Sequence, residues 1–386
     1  MVKRLVKLFT SMRLTVVLLC LSIALVFIGT LAQVHEGLYM AQARYFKSWF
    51  IVGPIVGNAT LPIILPGGYL LGSLLVINLL SAHIARFAFT WKKTGIHLTH
   101  GGLIFLLLGQ LLTDVLSTES ALQFAEGDTR NYSVDFHDSE LVIIDPSDAN
   151  HDQVISIPEH RVAGGGEIRD SRLPAGIKVL KYWQNADLFT APVSNSIPVA
   201  ATQGMGPGLH LVARQPVVTM DERNIPAALV EVIGPQGSLG SWLVTSQSGT
   251  KQEFTVGGKT YYLSLRFTRH YKPFQLKLLE FTHEKYRGTE KPKNFASRVR
   301  VQRPATGEDR EVVIYMNNPL RYGGETYYQA SFAPDNDQRA NKITTLQVVR
   351  NPGWLTPYLA CAMMTLGLLV QFLSHLVGFV SKRRLA

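Results

Sequence analysis

Three features of the chain predict a multi-pass α-helical membrane protein with four transmembrane helices and a large, mainly-β extracytoplasmic domain. The first is four apolar segments, at about residues 14–32, 67–90, 95–116 and 354–380, each long enough to cross a bilayer at about 1.5 Å per residue. The second is where the basic residues lie. The net charge is +10 over 386 residues, and much of the excess sits in short clusters beside those segments: Lys3, Arg4, Lys7 and Arg13; Arg86, Lys92 and Lys93; Lys382, Arg383 and Arg384. The third is the stretch 117–352, where short alternating apolar runs are separated by Gly, Pro, Asn and Asp, as in antiparallel sheets. A mean hydropathy slightly above zero fits this mixture of spans and water-facing chain. The basic clusters lack an interleaved aromatic face, so they read as topology signals and not as a nucleic-acid footprint. Cys20 and Cys361 both lie in apolar runs and no CxxC occurs, which argues against a thiol–disulfide role or a structural zinc site.

Leu14–Ala32 is preceded by basic residues and lacks a small-x-small cleavage site, so it reads as an uncleaved first span with its N-terminal end in the cytoplasm. Residues 33–66 form an outer interfacial loop, because Gly53-Pro54, Gly57, Pro62 and Pro66 prevent a crossing helix. Within it Phe50–Leu65 reads as an interfacial or re-entrant segment, with Tyr45, Phe46 and Trp49 at headgroup level. Gly67–Thr90 runs back inward and turns polar at Asn78, Ser81, His83 and Arg86. The third span, 95–116, runs outward to Asp114 and completes a membrane part at 1–116. The β-rich domain follows at 117–352. Lys251–Phe267 predicts a hairpin around Gly257-Gly258. Leu141–Ile144, Ile177–Leu180, Ala228–Ile233, Val299–Val301, Val312–Tyr315 and Thr344–Val349 read as strands, and Gly164-Gly165-Gly166 and Gln203–Gly208 as surface loops. The region exceeds a typical sandwich of about 100 residues, leaving open one large sandwich or two smaller β units. Residues 353–386 hold the fourth span and a basic cytoplasmic tail, and four crossings with both ends inside satisfy the positive-inside bias.

The third span carries His97 and His100, three apart and so on one helix face, beside Gly101-Gly102, where missing side chains let a flat ligand or another helix approach. Counted from Lys93, His100 lies roughly 10 Å inside the hydrocarbon edge. Ionisable groups at that depth are costly and mark function. From the residues alone, ligation stands beside a hydrogen bond to a neighbouring helix or snorkelling. His83 should reach the depth of His100 in an antiparallel helix pair, as its partner or rival, or else snorkel beside Arg86. His375, close to the last basic cluster, reads as a snorkelling residue. His137, His151, His160, His210, His270 and His283 are scattered over the outer region and read as solvated side chains, while Tyr327-Tyr328-Gln329 and Phe332 read as sheet core. No concentrated catalytic constellation is present, and no catalytic residue is assigned.

Several separated motifs together resemble one family. Gly29-Thr30-Leu31-Ala32-Gln33 is similar to a GT-x-x-Q at the end of its first span, and His100-Gly101-Gly102-Leu103 to its third-span H-x-G-L. Tyr271-Lys272-Pro273-Phe274-Gln275-Leu276, Met316-Asn317-Asn318-Pro319-Leu320, Tyr322-Gly323-Gly324-Glu325-Thr326-Tyr327-Tyr328-Gln329-Ala330-Ser331 and Val349-Arg350-Asn351-Pro352-Gly353 follow in the family's order. On these the chain resembles the ResB (CcsB) proteins of the System II cytochrome c maturation pathway. The resemblance implies a subunit of a cytochrome c synthase in a bacterial cytoplasmic membrane. Such a subunit helps a ResC (CcsA)-type partner export haem and present it to apocytochrome c. The partner's tryptophan-rich haem-handling segment is absent here, although fused versions carrying both halves exist.

By its place in H-x-G-L, His100 matches the family's transmembrane haem-ligand histidine and the iron-binding residue. His83 and His97 are weaker candidates. The implied cofactor is haem b in transit, and the implied partners are the ResC-like protein, apocytochrome c and membrane lipids, with no nucleic acid. Two other classes stand beside this one. A membrane-anchored extracytoplasmic sensor or binding protein without cofactor predicts that His100 matters only for stability. A stand-alone membrane b-type cytochrome requires two or more deep histidine pairs.

Overall fold

The computed structural model describes residues 2–53, 63–85, 90, 93–149, 151–217, 222–247, 250–289, 292–332 and 343–384. Lys92, Arg86, Pro54, Gly57 and Pro62, used above, lie outside these residues. The chain divides into two units, Met1–Thr118 with Arg350–Ala386, and Glu119–Val217 with Glu222–Val349.

In the first unit, four helices are long and apolar enough to cross a membrane: Met12–Glu36, Gly68–Ala85, Thr94–Leu116 and Thr356–Arg384. The first runs a turn beyond the expected Ala32 and stops at Gly37, whose φ of +77° ends the helix. Instead of one continuous outer loop, the chain then makes a helical turn at Leu38–Ala41, a π-helix at Gln42–Phe46, and an antiparallel pair of Phe50–Gly53 with Ile63–Pro66. Tyr45 was expected at headgroup level but is fully buried, with Leu18, Leu25, Ala32, Ile51 and Leu71, in the apolar cluster between the first and second spans. Its ring fills that cluster, whereas Trp49 stays 55% exposed. Gly29, the first residue of the GT-x-x-Q stretch, explains part of this: a Cβ there would lie 2.8 Å from the Phe46 ring.

The third and fourth spans meet along a stripe of glycines. Gly95, Gly102 and Gly109 recur every seven residues and are buried. Added Cβ atoms at these positions would sit 2.6 Å from the Gly367 carbonyl oxygen, 2.8 Å from Met364 Cγ and 2.4 Å from Thr356 Oγ1. Gly367 answers from the other side, since its Cβ would meet the Thr99 backbone nitrogen at 2.6 Å. Lipid offers no hydrophobic drive to join two apolar helices, so such close backbone approach is what holds them. The fourth span begins two residues later than expected, because Asn351 Oδ1 accepts the Gly353 N–H at 2.8 Å and forms the turn before the helix.

The second unit is β-rich and carries, among the described residues, two large hydrophobic cores and a smaller cluster of Ala186, Leu211, Ala227 and Leu243. Its largest sheet runs Glu308–Tyr315, Pro292–Arg303, Lys259–Lys285, Thr129–Asp145, Thr118–Ala125, Ile343–Arg350, Glu325–Phe332 and Leu320–Tyr322. The first and last of these strands are joined by the turn at 316–319, so the sheet nearly closes on itself. A second sheet runs Gly237–Thr245, Ala227–Gly234, Gly176–Trp183 and Gly166–Ile168.

Two small β units are therefore strung on shared strands. In the 27-residue strand Lys259–Lys285, Leu263 and Leu265 enter one core, and Phe274, Leu276 and Leu278 enter the other. Between them the register breaks at Phe267/Arg269 and again at Tyr271/Leu276; such bulges bend a strand and re-aim its side chains. The hairpin at Gly257-Gly258 forms as expected, both glycines at positive φ.

Candidate functional site

The histidines of the second and third spans come together. His83 lies near the end of Gly68–Ala85, and His97 and His100 lie in the first two turns of Thr94–Leu116. His97 Nδ1 is 3.2 Å from His83 Nε2, and the two rings meet edge to face at 4.8 Å. The His83 and His100 ring centres are 6.1 Å apart. His83 was expected to pair with His100 or to snorkel; it hydrogen-bonds His97 instead. At 3.6 residues per turn, His97 and His100 fall on the face of the third span opposite the Gly95–Gly102–Gly109 stripe. One face of this helix joins the fourth span and the other faces the second.

The arrangement separates the three imidazoles chemically. The 3.2 Å contact between His83 and His97 is a hydrogen bond that engages one ring nitrogen of each. His100 is left, among the described residues, with the His83 ring contact and no hydrogen bond. Beside it, Gly101 and Gly102 differ. A Cβ on Gly102 would run into Met364 and the Ala360 carbonyl oxygen, whereas a Cβ on Gly101 would meet only Met363 Cε at 3.5 Å. The glycine pair thus serves a helix on one side and leaves room on the other. A half-buried imidazole beside a side-chain-free helix surface fits the donor and space requirements of a porphyrin iron.

Two polar groups elsewhere in the membrane unit, Asn78 and Asp114, find partners within it, whereas Gln371 Oε1 in the fourth span is buried without a hydrogen bond. Asn78, 2% exposed, donates to the Phe9 and Ser11 carbonyl oxygens and accepts from Thr15 Oγ1. Asp114 is paired with Lys47 at 2.7 Å and accepts from the Tyr69 hydroxyl. His375 approaches Gln371 Nε2 at 2.7 Å and is exposed.

In the β unit, two motifs widely separated in sequence converge. Lys272 pairs with Glu325, both nearly buried, and the Tyr327 hydroxyl donates to Glu325 Oε2 at 2.7 Å. Burial and then the Glu325 charge push the Tyr327 hydroxyl above its ordinary value. Phe274 packs edge to face on Tyr322 at 4.7 Å, and Gly323, at a φ of +62°, leaves room for the Phe274 ring. Asn317, also at positive φ, forms the tight turn between Tyr315 and Asn318. Tyr327 is core as expected, while Tyr328 is 39% exposed. His270 was expected to be solvated but pairs with Asp135 at 3.2 Å. Burial alone would raise the Asp135 carboxyl, but His270 and the Asp138 and His137 N–H groups outweigh it and hold the carboxyl below its usual value. His283 likewise stacks on Phe295 at 4.8 Å. Single residues scattered along strands gave no sign of these partners, because they depend on strand pairing and, at Lys272, on a bulge. Among the described residues no cluster of three or more His, Cys, Asp or Glu is arranged to hold a metal ion by itself.

A polytopic membrane protein with a histidine cluster in its spans and a two-core β domain is the class that this architecture defines. Residues 228–341 match the family described as ResB-like, and over 101 residues the chain is 36% identical to Protein NrfI of Wolinella succinogenes, a stretch covering 26% of this chain. This part of the chain is similar to the ResB-like family. The stretch shared with NrfI spans only 11% of that protein's length. The matched family segment holds the Lys272–Glu325–Tyr327 network, and the histidine cluster lies outside it.

Proposed function

We propose that this chain acts in cytochrome c biogenesis as the ResB-like subunit of a synthase. It works with a ResC (CcsA)-type membrane partner, and His100 is an axial ligand to haem b on its way to apocytochrome c. The observation that carries this reading is the state of His100: an imidazole inside a span, its two histidine neighbours bonded to one another, with an open glycine surface beside it. An unpaired imidazole in hydrocarbon is costly, and ligation removes that cost. When bound, the haem supplies the vinyl groups that receive the cysteine thiols of apocytochrome c. The chain's own residues hold and orient. The His83–His97 hydrogen bond fixes the ring next to His100, Gly101 keeps side chains clear, and the glycine stripe keeps the third span rigid against the fourth. The β domain faces the extracytoplasmic side, and both ends of the chain lie in the cytoplasm.

The test is the haem absorption spectrum of the chain coexpressed with a ResC-like partner. His100→Ala should insert normally and lose most of its haem, and added imidazole should restore part of it by filling the vacated volume. Gly101→Leu should lose haem while the protein remains folded. Full haem content and full cytochrome maturation in His100→Ala would make His100 a structural residue and end this assignment.

A further inference from the structure

Val2–Phe9 forms a helix of sequence V-K-R-L-V-K-L-F before the first span. At about 100° per residue, the basic Arg4 and Lys7 share one arc, and the apolar Val6, Leu8 and Phe9 fall outside it. Val6 is 52% exposed, Leu8 51% and Met12 65%, so the chain does not cover this apolar side itself. No acidic residue precedes Glu36, and among the described residues no ion pair reaches Arg4, Lys7 or Arg13. The element therefore presents one sign of charge on one side and uncovered hydrocarbon on the other.

The element is also fixed in place. An eight-residue helix is too short to persist alone in water, yet this one is tied at its end to the second span. Asn78 Nδ2 donates to the Phe9 carbonyl oxygen at 2.7 Å and to that of Ser11 at 3.3 Å, and Asn78 Oδ1 accepts from Thr15 Oγ1 at 2.6 Å. Ser11 Oγ accepts from the Arg13 N–H at 3.2 Å and starts a new helix there. The break keeps Val2–Phe9 from simply extending the span, and the buried amide ties its C-terminal end to the second span.

We propose that Val2–Phe9 is an interfacial anchor that binds the anionic headgroups of the membrane, pinned by Asn78 to the second span. A lipid surface fits better than a protein partner. A lipid surface supplies acyl chains for the apolar arc and phosphates for the basic arc, and such segments gain affinity from both.

The test uses the full chain with Cys20→Ser and Cys361→Ser and a fluorophore on Leu8→Cys, reconstituted in bilayers of phosphatidylcholine with or without phosphatidylglycerol. Spin-labelled lipids of each kind serve as quenchers. Labelled phosphatidylglycerol should be enriched about tenfold over labelled phosphatidylcholine at equal amounts, each nearby basic residue adding a factor of several. High salt or the combined K3Q, R4Q and K7Q substitutions should bring the ratio close to one. Asn78→Ala should preserve the preference while the label becomes more mobile. Equal quenching by both lipids, or a probe reached by neither because protein covers it, overturns the proposal; unchanged mobility in Asn78→Ala removes the pinning. The same label at Val6→Cys keeps the test open if the Leu8 variant inserts poorly.

Discussion

His100 and His97 are one helical turn apart and of the same residue type, yet their surroundings give them different consequences. His97→Ala should break the bond to His83 and free that ring, so it should change haem content less than His100→Ala does, in the same spectra. In the β unit the charged pairs make firmer stability statements. Lys272→Met leaves Glu325 buried without its cation and should destabilise the domain by about 3–5 kcal/mol, while the double variant Lys272→Met/Glu325→Leu should recover much of that loss; denaturation of all three proteins checks it. The Asp135 carboxyl is held below its ordinary value, so its contribution is complete above about pH 4 and is lost as pH falls through the lower folded value. Asp135→Asn should therefore be less stable than the parent by about 1–3 kcal/mol at neutral pH, and the gap should close in acid. Asp138 behaves with the opposite sign, because burial and then Asp135 and Glu159 raise its carboxyl.

At the scale of elements, the third span is two-faced. Its glycine stripe admits the backbone of the fourth span, and substitutions there test the contact directly. Gly102→Val should force the two helices apart and destabilise the membrane part by about 1–3 kcal/mol, whereas Gly101→Ala, with only Met363 Cε near its added carbon, should melt close to the parent. Equal losses at both positions would contradict the assignment of opposite duties to adjacent glycines. The long strand Lys259–Lys285 shows a similar division. Its bulges send Lys272 and Phe274 inward to the Glu325–Tyr327 strand and leave Tyr271 53% exposed.

For the whole molecule, the charge bias predicts that a reporter near Asn224 is active outside the cytoplasm and one after Arg384 is active inside; an inside-facing Asn224 would reverse the orientation and the proposed depth of His100. The proposed partnership predicts that the chain yields no holocytochrome in a host stripped of ResC-like proteins and copurifies with such a protein when the two are coexpressed.

The amino-acid pattern by itself determined the four spans, the β character of the middle region, the 257–258 hairpin and the candidate histidines. Each follows from local periodicity, from turn chemistry or from the cost of ionisable groups in hydrocarbon. Helix ends were displaced by caps such as Gly37 and the Asn351 turn, which depend on a few hydrogen bonds. Tertiary structure alone decided that His83 bonds His97 and not His100, because the rotation of two helices about their axes depends on what each packs against. It likewise decided that Tyr45 is core, that the β region holds two cores on shared strands, and that Lys272 meets Glu325. Contacts between residues distant in sequence depend on the bulges and the glycine-lined helix contact that bring the elements together, and linear spacing carries no record of those.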